Sequence, residues 1–363
     1  MKKKDIAAKA PSPSVKDEVQ VSKKAIRRAG DIFRSRMELS TAEQNEAIDI
    51  INKYRQLFNV PLNAFQMTLR HRIQSLKLTN SIVAQRLKRL PTIIFKLQLN
   101  KTMQLDTMQD IGGARAIVNN IKDLKSLHNA YLNSKTKFTH SLEREYDYIE
   151  KPKDSGYRGY HMVFKYKGTT EKQKKYEGLR IELQLRTHLQ HVWATAVETF
   201  EFFLGDKFKS SLGDPKWLEF FALVSSLFAL EEKQNVVERH RGLSKEIITQ
   251  KIREIMHELD VFKWLTTISK VSYDAKKFRG NRKAYCLLVL DTEKHDTSIY
   301  IYDKYARAYE AYSKWEYGDD KMKTEQVLLL RMDHINKATA AYPNFFANLK
   351  EFTQILQKIM SAK

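Results

Sequence analysis

Apolar and polar residues alternate most strictly at 179–186, Leu-Arg-Ile-Glu-Leu-Gln-Leu-Arg. A side-chain period of two predicts a strand with Leu179, Ile181, Leu183 and Leu185 on one face. Arg180, Glu182, Gln184 and Arg186 then share the other. Residues 160–166 alternate in the same way, and 146–149 predict a short strand. Residues 114–118, Ala-Arg-Ala-Ile-Val, predict a strand that follows a Gly112-Gly113 turn. A helix is expected over 121–132, a loop over 150–158 and a charged hairpin loop over 167–177. Strands interleaved with helices predict an α/β or α+β sheet domain.

Helical spacing dominates on both sides of this region. Ile26, Phe33, Met37, Ala42, Ala47, Ile48 and Ile51 predict helices from residue 25 to about residue 60. Residues 65–89 read as one or two helices with a basic surface; Pro91 interrupts the pattern and 93–99 resume it. Residues 217–230 are almost wholly apolar and must be buried. Over 246–264, Ile247, Ile248, Ile252, Ile255, Leu259 and Phe262 form one stripe. The composition then shifts. Residues 276–283 read as a basic linker containing Gly280. Two β-like runs follow, 284–290 and 298–302, then a tyrosine-rich helix, then an amphipathic helix over about 343–360. The expected organisation is a tail at 1–22, flexible because Pro11, Ser12, Pro13 and Ser14 lie among charges. A main domain spans 23–274 and a second module 275–363.

Composition narrows the class. A length of 363 residues suits two domains or one elaborated domain. Hydrophobic content of 42% supports real cores. No apolar run is long enough to span a bilayer. The opening Met-Lys-Lys-Lys-Asp lacks the apolar segment of a secretory signal. The single cysteine, Cys286, excludes an intramolecular disulfide and a cysteine-based zinc site. A soluble cytoplasmic protein is expected, with no membrane partner. The net charge of +21 favours polyanionic partners such as nucleic acid or nucleotides.

Four segments carry candidate chemistry. Arg86-Leu87-Lys88-Arg89 reads as a basic helical turn. Asp110-Ile111-Gly112-Gly113-Ala114-Arg115 joins an acid, a glycine turn and an arginine. The third runs from Tyr148 to His161 and includes Lys151, Lys153, Tyr157 on a Gly-flanked loop, and Arg158. The fourth is Glu182-Leu183-Gln184-Leu185-Arg186-Thr187, continuing to Trp193-Ala194. Two carboxylates, Asp110 and Glu182, can share a Mg²⁺ that also binds substrate phosphates. Lysines and arginines would neutralise charge on a transferred phosphoryl group. An exposed Tyr157 would offer a face to a base. Taken alone, the octet also suits a half-buried strand with a solvated, salt-bridging face.

Together these segments resemble the synthetase domain of the RelA/SpoT homologues, the alarmone synthetases. Asp-Ile-Gly-Gly-Ala-Arg is similar to that family's Asp-Ile-Ala-Gly-x-Arg. Tyr-Ile-x-x-Pro-Lys-x-x-Gly-Tyr-x-x-x-His stands at 148–161, and Glu-x-Gln-x-Arg-Thr at 182–187. The resemblance spans roughly residues 65–210. It implies a nucleotidyltransferase-like α+β fold, a mixed sheet flanked by helices, with a small β-hairpin and helix module behind it. It also implies Mg²⁺-dependent transfer of the β,γ-pyrophosphate of ATP to a ribose hydroxyl. By that likeness Arg86 and Arg115 would sandwich adenine, Lys88 would meet ATP phosphates, and Lys96 would join the ATP site. Asp110 would bind Mg²⁺. Glu182 would sit at the metal or act as general base. Tyr157 would stack on the acceptor base near His161 and Gln184, with Lys151, Lys153 and Arg186 toward phosphates. The chain departs from the family at Ser155 (commonly Asn), at Gly112 (commonly Ala), and in 196–199, where alarmone makers commonly carry a His. These departures spare the ATP site and weaken the case for a guanine acceptor. No His-Asp motif of an alarmone hydrolase is present.

The layout is also similar to fused toxin–antitoxin synthetases of the CapRel type. That likeness implies pyrophosphate transfer to the 3′ end of tRNA and a block of translation. It further implies autoinhibition by a zinc-finger-like C-terminal module without zinc, and release by a phage capsid protein. The family's Tyr-x-x-Tyr plug has two candidates, Tyr302/Tyr305 and Tyr309/Tyr312. The second pair, at helical spacing, equally suits the module's own core. Acceptor-stem phosphates are expected at 23–28, 70–72 and 207–209. The alternatives are a synthetase acting on GDP or GTP and a catalytically dead RNA-binding protein.

Overall fold

The computed structural model describes residues 21–35, 40–133, 139–204, 213–266, 268, 285–291, 296–317, 325–331 and 345–361. Residues 1–20 of the tail expected at 1–22, the basic linker at 276–283 and the basic stretch at 207–209 lie outside them. Among the described residues no helix is long and apolar enough to cross a membrane.

Helices α1 (Lys23–Ser35), α2 (Thr41–Gln56) and α3 (Asn59–Ser75) open the chain. A capping box starts α2: Ser40 Oγ accepts the Glu43 N–H, and the Ser40 N–H donates to Glu43 Oε2. Strand β1 (Ile82–Leu87) and helix α4 (Leu90–Leu99) follow. The one or two helices expected over 65–89 are therefore corrected. Lys77 and Asn80 take left-handed backbone and turn the chain out of α3. Residues 82–87 then pair with the next strand, and Arg86 lies on an edge strand instead of a basic helical turn. Pro91 sits in the first turn of α4, where a missing N–H costs nothing, so it begins a helix instead of breaking one.

Strand β2 (Gly112–Val118), helix α5 (Ile121–Leu132), strands β3 (Ser141–Asp147) and β4 (Tyr160–Lys165), the single turn α6 (Glu171–Lys174) and strand β5 (Arg180–Thr187) complete an α+β sheet. Strand order is β1-β2-β5-β4-β3; β2 and β5 are parallel and the other pairs antiparallel. The expected Gly-Gly turn is corrected, because both glycines lie inside β2. The strand expected at 146–149 is corrected to 141–147. One sheet face, including Ala114, Ala116, Met162, Phe164, Ile181, Leu183 and Leu185, packs in one core with residues of α1–α5. The other face carries the polar residues of β5.

A second core gathers α7 (His188–Leu204), α8 (Pro215–Glu231) and α9 (Lys245–Glu258). Most of the 217–230 run is buried, as its composition requires. Ile247 leaves the predicted stripe and is 46% exposed, while its neighbour Ile248 is buried. Strands β6 (Tyr285–Asp291), β7 (Asp296–Tyr302) and β8 (Glu325–Arg331) form a three-stranded sheet ordered β7-β6-β8, with α10 (Tyr305–Tyr317) between β7 and β8. The third strand is an addition to the expected hairpin. Helix α11 (Phe345–Ser361) buries Leu349, Phe352, Leu356 and Ile359 in the α7–α9 core. Glu351 meets His188 at 2.8 Å, and Arg253 Nε donates to Ile359 O at 2.9 Å.

Candidate active site

Sheet register places the candidates in rows. Arg86 pairs with Gly113, and Gly113 with Glu182. Arg115 pairs with Gln184, Gln184 with His161, and His161 with Tyr146. Residues two apart on a strand share a face, so Glu182, Gln184 and Arg186 stand in line between Arg115 and His161.

Hydrogen bonds close this group into a ring. Tyr157 OH accepts from Arg186 Nε at 3.1 Å and Nη2 at 2.6 Å. Its own hydrogen is thereby directed to His161 Nε2, 2.5 Å away. His161 Nδ1–H donates to Glu182 Oε1 at 2.7 Å. Gln184 Nε2 donates to Glu182 Oε2 at 2.7 Å. Gln184 Oε1 accepts from Arg186 Nη2 and Arg115 Nη2, both at 3.1 Å. Burial pushes the Glu182 carboxyl up, but His161 and Gln184 outweigh it and hold the group at about 2. Burial lowers His161, which agrees with a neutral ring in this arrangement. Burial also lowers Arg115 to about 10, helped by the Arg186 charge.

Two expectations change here. Tyr157 is not exposed; it is 5% accessible and hydrogen-bonded, with the Arg186 guanidinium 4.9 Å and Lys153 Nζ 5.4 Å from its ring centroid. Arg180, expected on the same strand face as Glu182, turns instead to Glu143, with Nε 2.7 Å from Oε2. Tyr148, which opens the 148–161 motif without an assigned role, packs edge-on against both Tyr157 and His161 and carries Lys153 Nζ 4.4 Å from its ring centroid. Lys151 is exposed.

Asp110 stands beside this ring. Lys88 Nζ lies 2.8 Å from one of its oxygens and Lys96 Nζ 3.0 Å from the other. Burial raises its carboxyl, and the two ammonium charges more than reverse the effect, so the group titrates below its ordinary range. Glu182 is close enough to be felt in the opposite sense. The Lys88 N–H bonds to Ile111 O at 2.8 Å, which ties β1 to the turn carrying Asp110.

Among the described residues no group of three or more His, Cys, Asp or Glu is placed to hold a metal ion. Asp110 and Glu182 offer the oxygen donor type that suits Mg²⁺, an ion that binds one or two protein oxygens and completes its shell with substrate phosphates and water.

Gly112 is explained by packing. A Cβ there would lie 2.8 Å from Phe58 Cδ1 and 3.1 Å from Ile181 Cδ1. Gly112→Ala is therefore expected to lower stability by about 1–3 kcal/mol. A urea melt measures this, and an unchanged or raised midpoint contradicts the close approach. Of the expected acceptor-stem sites, Arg27 is committed to Asp106 at 2.9 Å, and Arg72 donates to Ala130 O and lies 4.4 Å from the Tyr131 ring centroid. Tyr309 and Tyr312 sit on α10 with ring centroids 6.1 Å apart. Tyr302 ends β7 opposite Tyr285, and Tyr305 begins α10.

A family model described as a region found in RelA / SpoT proteins matches residues 85–200. The GTP pyrophosphokinase YjbM of Bacillus subtilis (strain 168) is 36% identical over 92 residues, 25% of this chain and 41% of that protein. The chain thus spans less than half the length of that relative. The small alarmone synthetase 1 of Bacillus subtilis, solved bound to its product pppGpp, aligns with a TM-score of 0.43 and 21% identity over 50% of this chain and 92% of that one. A GTP pyrophosphokinase family protein from Streptococcus pneumoniae gives 0.41 and 19% over 55% and 96%.

Proposed function

We propose that this chain, whose residues 85–200 form a RelA/SpoT-type region, is an ATP-dependent pyrophosphokinase. The observation that carries the reading is a pair of low-titrating carboxylates, Glu182 on the polar face of β5 and Asp110 in the turn before β2, set among Lys88, Lys96, Arg115 and Arg186. Such a site suits a triphosphate and the charge that develops when it is cleaved.

In the reaction an acceptor hydroxyl oxygen bonds to the β-phosphorus of ATP. The bond from that phosphorus to the α,β-bridging oxygen breaks, AMP leaves, and the hydroxyl proton passes to solvent. Lys88 and Lys96 lie where they can transfer from Asp110 to phosphate oxygens. Arg86 and Arg115 flank the row that would receive adenine. Arg186 Nη1, buried with no hydrogen-bond partner, is an N–H donor suited to an anionic group. Glu182 already accepts two N–H donors, so we assign it to holding and orientation instead of proton abstraction. Asp110 and Glu182 would hold Mg²⁺, which supplies Lewis-acid polarisation of the phosphates when bound.

For the acceptor we favour the 3′ end of tRNA over GDP or GTP, on the net charge of +21. We assign residues 285–331 to autoinhibition through Tyr302/Tyr305 or Tyr309/Tyr312, relieved by a phage structural protein. A tyrosine ring can stand in for adenine between two guanidiniums. The test is ATP labelled at the γ-phosphate, incubated with bulk tRNA or with GDP. Label is expected on tRNA with release of AMP. Label on GDP alone reverses the acceptor choice, and label on neither defeats the kinase reading. The same assay on the Tyr302→Ala/Tyr305→Ala and Tyr309→Ala/Tyr312→Ala pairs should show a rise in rate for one of them. No rise in either would end the plug model. These substitutions are preferable to truncation near residue 274, which would also strip α11 from the main core.

A further inference from the structure

The Tyr157 loop, residues 148–159, is held along its length by one neighbour. Asn235 Nδ2 donates to Glu150 O at 2.8 Å, and Arg239 Nη1 to Asp154 O at 2.7 Å. Ser225 Oγ on α8 donates to Gly156 O at 2.5 Å. Gly156 has φ +90°, and a Cβ there would lie 2.9 Å from Ser225 Cβ and 3.0 Å from Ala222 Cα, so the loop rests directly on the helix. Arg158, nearly inaccessible, pairs with Glu232 at 3.1 Å. All four anchors come from α8 or from the residues just after it.

Glu232 binds more than the loop. It also accepts from the Thr187 hydroxyl at the end of β5 and from Gln190 in the first turn of α7, the latter at 3.1 Å. Arg158 and Thr187 are the chain neighbours of Tyr157 and Arg186. One buried carboxylate therefore fixes the segments that present both members of the Tyr157–Arg186 pair. Arg239 is itself steadied, because its Nε donates to Glu219 Oε2 on α8 at 2.8 Å.

We propose that Glu232, Asn235 and Arg239 are positioning residues for the acceptor half of the site. Through the loop backbone they set where Tyr157 and Lys153 stand relative to Arg186 and Glu182. The ATP half, built on β1, α4 and β2, does not depend on them. This rests on the reading above that the 148–159 loop meets the acceptor.

The test uses the full chain with Asn235→Ala/Arg239→Ala. Both side chains are exposed, so the fold tolerates their loss. The transfer assay is run with whichever of tRNA or GDP takes label. Acceptor KM is expected to rise about tenfold, because small misplacements of a binding group cost this much or more. ATP KM should stay within about twofold, and Arg239→Lys should recover part of the loss. An unchanged acceptor KM, or equal rises in both KM values, overturns the proposal. If the wild-type chain labels neither acceptor, the function has failed, and hydrogen exchange then judges the frame by itself. Faster exchange at the Lys153 and Gly156 amides, which bond within the loop, with the rest of the sheet unchanged, supports the frame. Unchanged exchange there overturns it.

Discussion

Glu182→Gln is expected to reduce pyrophosphate transfer on the order of 10³-fold while leaving the chain folded. The side chain keeps its shape but loses its charge and one acceptor oxygen. In the native ring both Glu182 oxygens accept, one from His161 Nδ1 and one from Gln184 Nε2. A glutamine has one acceptor and one NH₂, so one neighbour must face a donor. If Gln184 turns its amide, it releases the guanidiniums of Arg115 and Arg186. If His161 changes tautomer, it must give up the Tyr157 hydrogen. Either way the defect spreads, and the charge proposed to hold Mg²⁺ is gone as well. Rates of AMP release and a thermal melt are read together. A folded variant keeping more than about a tenth of the wild-type rate would remove Glu182 from the machinery. A catalytically dead RNA binder predicts no effect at all.

Glu232→Gln should have the largest effect on stability, a loss of about 3–5 kcal/mol. Arg158 and Glu232 side chains are 2% and 7% exposed. Neutralising the acid leaves a buried guanidinium with no countercharge, and burial already lowers the Arg158 pKa. Arg158 Nε is buried with no hydrogen-bond partner, so the surroundings offer little to replace the lost charge. Replacing both partners with apolar residues, Arg158→Met with Glu232→Leu, should recover much of the loss, because no lone charge then remains. Urea denaturation of the three variants decides the matter. A cost under about 1 kcal/mol for Glu232→Gln would mean that the pair is solvated in solution and fixes nothing.

The polar face of β5 was legible because it obeys a two-residue period over its full length. So was α5, where the predicted and observed bounds agree. Strand β1 was not, because it is an edge strand whose burial scarcely alternates, and its arginine and lysine suit a helix surface equally well. Tyr157 was misplaced for a different reason. Glycine-flanked loops usually meet solvent, and nothing local announces that α8, about 70 residues later, lies over this one. The bonds that matter there, Arg158 to Glu232 and Arg239 to Asp154, join residues 74 and 85 positions apart. Such pairings carry no local pattern. The close approach at Gly112 was hidden likewise, since its partner Phe58 arrives from the turn between α2 and α3.

The seating of α11 among α7 and α9 has a kinetic consequence. Ile268 and Leu349 both lie in that one apolar cluster, so the segment between them leaves and returns to the same body. If residues 285–331 regulate the site as proposed, a displaced segment stays tethered at two points, at an effective concentration set by its linkers and not by how much protein the cell holds. Its return is a unimolecular event, equally fast in dilute and crowded samples. Under the autoinhibition proposed above, a signal would have to remain bound to keep activity on, and activity should decay with the lifetime of that complex.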